Sequence, residues 1–173
     1  MKNYKKYLTI ILFTMISLNI YGYRAKESST NRFKIENFKN EIRQTNFKFD
    51  EFGKIKEYAI LGYYNFVSLK NKGKISAYAC LTHIKVYDRH EPLIVIISLN
   101  GKIIDYVLPE ARKRHLNLNT NKVKQMVIGE GKENVQMDDV AGSTFHIPAL
   151  NAELKNTLNM FKYRENIIRK EEN

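Results

Sequence analysis

Hydrophobic and polar positions divide the chain into segments of different period. In FKIENFKNEI (33–42), Ile35, Phe38 and Ile42 recur at spacings of three and four, which predicts a short amphipathic helix. EYAILGYYNFVSL (57–69) is apolar and aromatic and predicts a strand. KNKGK (70–74) predicts a turn, with Gly73 available for positive φ. ISAYACLTHIKVY (75–87) alternates roughly and predicts a second strand, after which DRHEP (88–92) is expected to break the pattern. In LIVIISLNGKIIDYVL (93–108), two β-branched runs flank Asn100-Gly101, a strong hairpin signal because both residues tolerate positive φ. Pro109 ends the second of these strands. Residues 110–136 are polar, basic and weakly periodic; Val123, Met126 and Val127 share one helical face, and Gly129 and Gly131 mark a loop after it. Pro148 suits the first turn of a helix, and Leu150, Leu154, Leu158 and Phe161 follow at spacings of four, four and three. The charged tail, 166–173, frays or extends that helix. This order predicts an α+β domain over 33–165, an antiparallel sheet with a β-hairpin packed against helices and followed by a C-terminal helix.

The first 22 residues differ from the rest. Lys2, Lys5 and Lys6 precede a mostly apolar run from Tyr7 to Ile20, about fourteen residues, which fits a secretory signal better than the roughly 20 apolar residues of a membrane span. Gly22 offers a cleavage position, but Ile20 is not the small residue usual two places earlier. Residues 1–22 therefore read as a signal peptide or an N-terminal anchor, and the polar stretch 23–32 as a linker. The formal charge of +11 becomes +8 without 1–22, because Lys2, Lys5 and Lys6 leave and no acid does. A basic exported domain favours anionic partners or is simply kept soluble by its lysines; the export signal argues against nucleic acid. With 43% hydrophobic and 12% aromatic residues a packed core is affordable. The single cysteine, Cys80, has no internal disulfide partner and reads as a small core residue.

Side-chain chemistry is sparse. None of the four histidines stands in metal-ligand spacing with Cys or a carboxylate, and His83, His90 and His115 read as structural or solvated. There is no phosphate loop, dinucleotide fingerprint, acid/base pair or nucleophile–histidine arrangement, so catalytic side chains and metal ligands are both expected to be none. The stretch that does carry chemistry is MDDVAGSTFHIPALNAELKNTL (137–158). Small residues run straight into a helix start, where free N–H groups and the helix dipole favour an anion. Thr144 puts a hydroxyl there, and Asp138 is placed to hold the turn. The plainer alternative is that Ser143 or Thr144 caps the helix and Asp138 or Asp139 makes an Asx-turn.

Asp138-x-x-Ala141-Gly142-Ser143-Thr144 resembles the flavinylation motif of the FMN-binding domain family, which includes the extracytoplasmic flavin subunits of Rnf and Na+-pumping NADH:quinone oxidoreductase complexes. The family pattern is Asp, two residues, Ser or Thr, Gly, Ala or Ser, then Thr. The resemblance covers 93–161: IVIISLNGKIIDYVL is similar to the family's hairpin, and PALNAELKNTL to the helix after the motif. It implies FMN joined to Thr144 by a phosphodiester bond, installed by a FAD:protein FMN transferase. It also implies a site shaped by Asp138, Gly142 and Ser143, with His146 either contacting the phosphate or standing on the surface at the helix start. Ala141 stands where the family has Ser or Thr, and Phe145-His146 where many members carry hydroxyls. On this reading the basic cluster ARKRH (111–115) attracts a flavin phosphate or an acidic redox partner, unless it is simply a solvated face. Tyr63, Tyr64 and Phe66 belong to the core or to a flavin-stacking surface.

Two expectations follow. The first is an exported, extracytoplasmic FMN electron carrier, in the periplasm or at the cell surface, that serves a redox partner protein or a membrane electron-transport complex. The second is a non-redox binding domain whose flavin motif has decayed and whose basic surface docks an anionic partner. Residues 33–69, which have no counterpart in the resemblance, favour the second.

Overall fold

The computed structural model describes residues 34–53, 64–109, 118–138 and 144–171, with side chains described as far as Tyr163. The signal-like segment, the linker, Tyr63, the basic cluster 111–115 and His115 lie outside the described residues, as do Asp139–Ser143.

A 3-10 turn, Ile35–Phe38, runs into a short helix α1, Lys39–Arg43, with Ile35, Phe38 and Ile42 buried as their spacing predicts. Five strands follow: β1, Glu51–Phe52; β2, Asn65–Asn71; β3, Lys74–Val86; β4, Arg89–Ser98; and β5, Ile103–Val107. Each pairs antiparallel with the next, so the sheet order is β1-β2-β3-β4-β5. A four-residue helix α2, Asn121–Lys124, and a 3-10 turn, Lys132–Asn134, lead to the C-terminal helix α3, His146–Glu171. The fold is α+β, an open antiparallel sheet with α3 packed against it. Among the described residues, no helix is long and apolar enough to cross a membrane.

The strand pattern explains the core. In β4 every residue from Pro92 to Ile97 is buried, as expected of a strand covered on both faces rather than one. Register places Phe66, Cys80, Val95 and Tyr106 in one row across the sheet, and Val67, Ala79, Ile96 and Asp105 in the neighbouring row on the other face. The first row belongs to the core shared with Leu150, Leu154, Leu158 and Phe161 of α3. Phe161 meets the rings of Phe66 at 6.2 Å and Tyr78 at 5.4 Å between centroids. Each fully buried side chain of this kind stabilises the fold by about 1.5–3 kcal/mol. Cys80 is buried and in no disulfide among the described residues, a core residue as its surroundings predict.

Three turns refine the sequence reading. At β2–β3, Lys72 (φ 49°) and Gly73 (φ 74°) both take positive φ, the two-residue type I′ geometry. At Asn100-Gly101 only Gly101 has positive φ, 72°. Ile97 pairs with Ile103 across the turn, closed by Ser98 N–H donating to the Lys102 carbonyl at 2.8 Å, so the expected hairpin forms with a loop longer than two residues. A register shift leaves Ile104 as an extra residue, which lets Ile103 and Tyr106 join the same core face. DRHEP does not break the sheet: Asp88 is in a turn, and Arg89 to Pro92 form the start of β4. Pro92 is tolerated because β5 pairs with β4 only from Ile94 onward, so no ladder bond needs its missing N–H there.

The helix–sheet interface includes one polar cluster. Thr82 Oγ1 donates to Glu153 Oε1 at 2.7 Å, and the Tyr64 hydroxyl also bonds this carboxylate. Burial pushes the Glu153 pKa above its ordinary 4.5 and outweighs these hydrogen bonds, which act the other way. The folded protein therefore holds this proton to higher pH than the unfolded chain. Its contribution to stability is complete below about 4.5 and is lost as pH rises through the folded value. Glu153→Gln, which fixes the neutral form, is expected to gain stability relative to the parent as pH goes from 4 to 7; a urea-unfolding difference that stays flat over that range contradicts this.

Candidate functional site

The motif loop joins a clamped strand-like segment to the start of α3. Val135 and Met137 are buried while Gln136 and Asp138 are exposed, the alternation of an extended segment laid on the core. Asn151, in the second turn of α3, holds Met137 by both backbone groups. Its Oδ1 accepts from Met137 N–H at 2.9 Å and its Nδ2 donates to the Met137 carbonyl at 3.2 Å. Asn119 grips Leu108 in the same way, at 2.9 and 3.0 Å. The side-chain amide thus substitutes for a missing neighbouring strand. Asp138 follows the clamp directly and is exposed; Gly142 and Ser143 lie outside the described residues.

At the other end, Thr144 and Phe145 are exposed, and α3 opens with His146 and Ile147, both buried. His146 is 5% exposed, which corrects the surface reading of this residue. It lies four residues before Leu150, on the face of α3 that meets the sheet. Its Nε2 lies 3.6 Å from Glu91 Oε2 of β4. The start of α3 is therefore seated on β4, and Thr144, an exposed residue, comes two positions earlier.

A second contact joins the same two elements. Tyr87, in the β3–β4 turn, has its ring 5.0 Å from that of Phe145, inclined by 49°. Tyr87 has φ 58°, a left-handed conformation that costs a non-glycine residue about 1–2 kcal/mol. Sequence reasoning did not find Tyr87, because a bulky residue is not expected at the glycine-favouring position of a tight turn. It also missed Asn151, which lies on the partly exposed side of a stripe read only for its leucines.

The remaining candidates have other places. Phe66 is core, and Tyr64 is half-buried with its hydroxyl on Glu153. The rings of His83 and His90 lie 4.5 Å apart, inclined by 59°, on the face of the sheet away from α3. Burial, and secondarily His90, lowers the His83 pKa. Among the described residues there is no group of His, Cys, Asp or Glu able to hold a metal ion.

No protein-family model matches this chain, and no curated protein does. The site is accordingly read from its own residues. Asn151→Ala is expected to remove both bonds to Met137, about 1 kcal/mol each, and to loosen the motif loop, so that amide exchange accelerates at Met137 and Asp138 while the β3–β4 core stays protected.

Proposed function

We propose that this chain is an exported electron-transfer protein carrying FMN on Thr144. The observation that supports it most is the place of Thr144: an exposed residue before a long helix whose first two residues are buried, a few positions after Met137, which Asn151 clamps. A side chain that must react with a large modifying enzyme needs such exposure, and its product needs a fixed base.

Thr144 offers the alcohol oxygen that a phosphodiester-linked flavin requires. In attachment, the Thr144 oxygen bonds to the phosphorus of the FMN half of FAD. The phosphoanhydride bond breaks, AMP leaves, and the hydroxyl proton passes to a base or to solvent. A FAD:protein FMN transferase is the partner for this step. The positive end of the α3 dipole would favour a phosphodiester anion at Thr144. On the resemblance, Asp138, Gly142 and Ser143 would border the attachment site, and His146 acts as a positioning residue by seating α3 on β4. Bound FMN supplies reversible electron transfer, while the protein supplies attachment and orientation. Covalent linkage suits an extracytoplasmic place, where a dissociated cofactor is lost. The electron partner is a redox protein or a membrane electron-transport complex.

Co-expression with a flavin transferase tests the reading. The denatured protein band is expected to fluoresce under ultraviolet light. A dark band beside a fluorescent control substrate rejects it and leaves the basic, non-redox binding domain as the better account.

A further inference from the structure

The aromatic pair beside Thr144 joins the β3–β4 turn to the start of α3 and yet remains largely exposed. Tyr87 is 67% exposed and Phe145 64%, yet their rings lie against each other. Tyr87 also keeps a left-handed backbone that glycine adopts without strain. Strain held in an exposed residue next to a reactive hydroxyl points to use rather than stability. Resting on the flavin reading above, we propose that Tyr87 and Phe145 form the stacking platform for the isoalloxazine ring of the flavin carried by Thr144.

The argument is one of place and shape. Phe145 is the covalent neighbour of Thr144, so a group tethered to that hydroxyl meets its ring first. Tyr87 extends the surface across to the β3–β4 turn, which His146 and Glu91 hold against the same helix. The isoalloxazine is a flat heteroaromatic system, and flat rings gain from offset or edge contact with aromatic faces. The rings are inclined by 49°, so a flavin lying on the face of one meets the other obliquely. A protein partner is a poorer occupant for this pair alone, since a stable interface buries about 800 Å² on each side. The platform leaves one flavin face and edge open, as transfer to a docking partner requires.

The test uses the full chain, flavinylated by co-expressed transferase. A phenol in contact with a photoexcited flavin donates an electron to it and receives it back without emission. Native protein is therefore expected to emit several-fold less flavin fluorescence than the same protein unfolded in guanidinium. In Tyr87→Gly the native emission is expected to rise close to the unfolded level, with FMN incorporation unchanged by mass. That variant should unfold at or above the parent temperature, because glycine relieves the strain at this position. Phe145→Ala gives a second readout, with emission between the two. Native Tyr87→Gly and Phe145→Ala proteins that carry FMN and remain as quenched as the parent overturn the platform while leaving the flavin reading intact. A parent chain that acquires no FMN beside a flavinylated control overturns both.

Discussion

Replacing Asp105 by Ala is expected to cost about 3–5 kcal/mol of folding stability, the loss found when one partner of a buried ion pair is removed. Asp105 is fully buried on β5 and receives three hydrogen bonds. Its Oδ1 accepts from Lys124 Nζ and from Tyr106 N–H, each at 2.7 Å, and its Oδ2 accepts from Asn46 N–H at 2.8 Å. The side chain of Lys124 is 7% exposed, and its ammonium also lies 5.6 Å from the centre of the Tyr106 ring. This carboxylate thus ties together the segment after α1, the edge strand and α2. Without it, Lys124 keeps a buried charge with no counter-ion, and Asn46 loses its acceptor. Tyr106 reports the same environment: burial, then the Asp105 charge, raises its hydroxyl pKa. Asp105→Ala combined with Lys124→Met should recover much of the loss, because an apolar pair carries no unpaired charge. Denaturant unfolding measures both, and an Asp105→Ala protein within about 1 kcal/mol of the parent contradicts this account.

Replacing Thr144 by Ala is expected to abolish covalent flavin without disturbing the fold. Thr144 is exposed, and surface substitutions away from special features usually change stability by about 0.5 kcal/mol or less. The hydroxyl is the atom that joins the phosphate, so its removal leaves nothing to modify at this position. Thr144→Ser keeps an oxygen at the same branch point and should retain some modification. The Asn151→Ala change acts on the loop rather than the acceptor, so it should slow modification and not eliminate it. A Thr144→Ala protein that still carries phosphodiester-linked FMN moves the attachment elsewhere, with Ser143 the neighbouring hydroxyl.

Much of the fold was legible because it rests on periodicity. The Leu93–Ile97 run and the Leu150–Phe161 stripe bury large apolar areas, and those patterns dominate local structure. Where reading failed, a neighbour overrode a local rule. Pro92 looks like a breaker, but it falls where β4 lacks its β5 partner. Asn100-Gly101 looks like a two-residue turn, but the bulge at Ile104 lengthens the loop. The burial of His146 was present in its spacing to Leu150 and was masked by its polarity. Asp105 and Lys124 are 19 residues apart on different elements, so no periodic signal joins them. The segment from Asp138 to Thr144 stood out in the sequence as the stretch with chemistry to carry. The Asn151 clamp on Met137 and the Tyr87–Phe145 contact were not legible, because only the tertiary fold creates them.

The central claim is that Thr144 carries FMN. Its most direct test is the intact mass of the chain co-expressed with an active flavin transferase, followed by mapping of the modified peptide. The predicted result is a gain of about 440 Da, the mass of an FMN residue and distinct from other side-chain modifications, confined to the peptide that contains Thr144. An unmodified mass, obtained while a control substrate in the same cells is fully flavinylated, contradicts the claim.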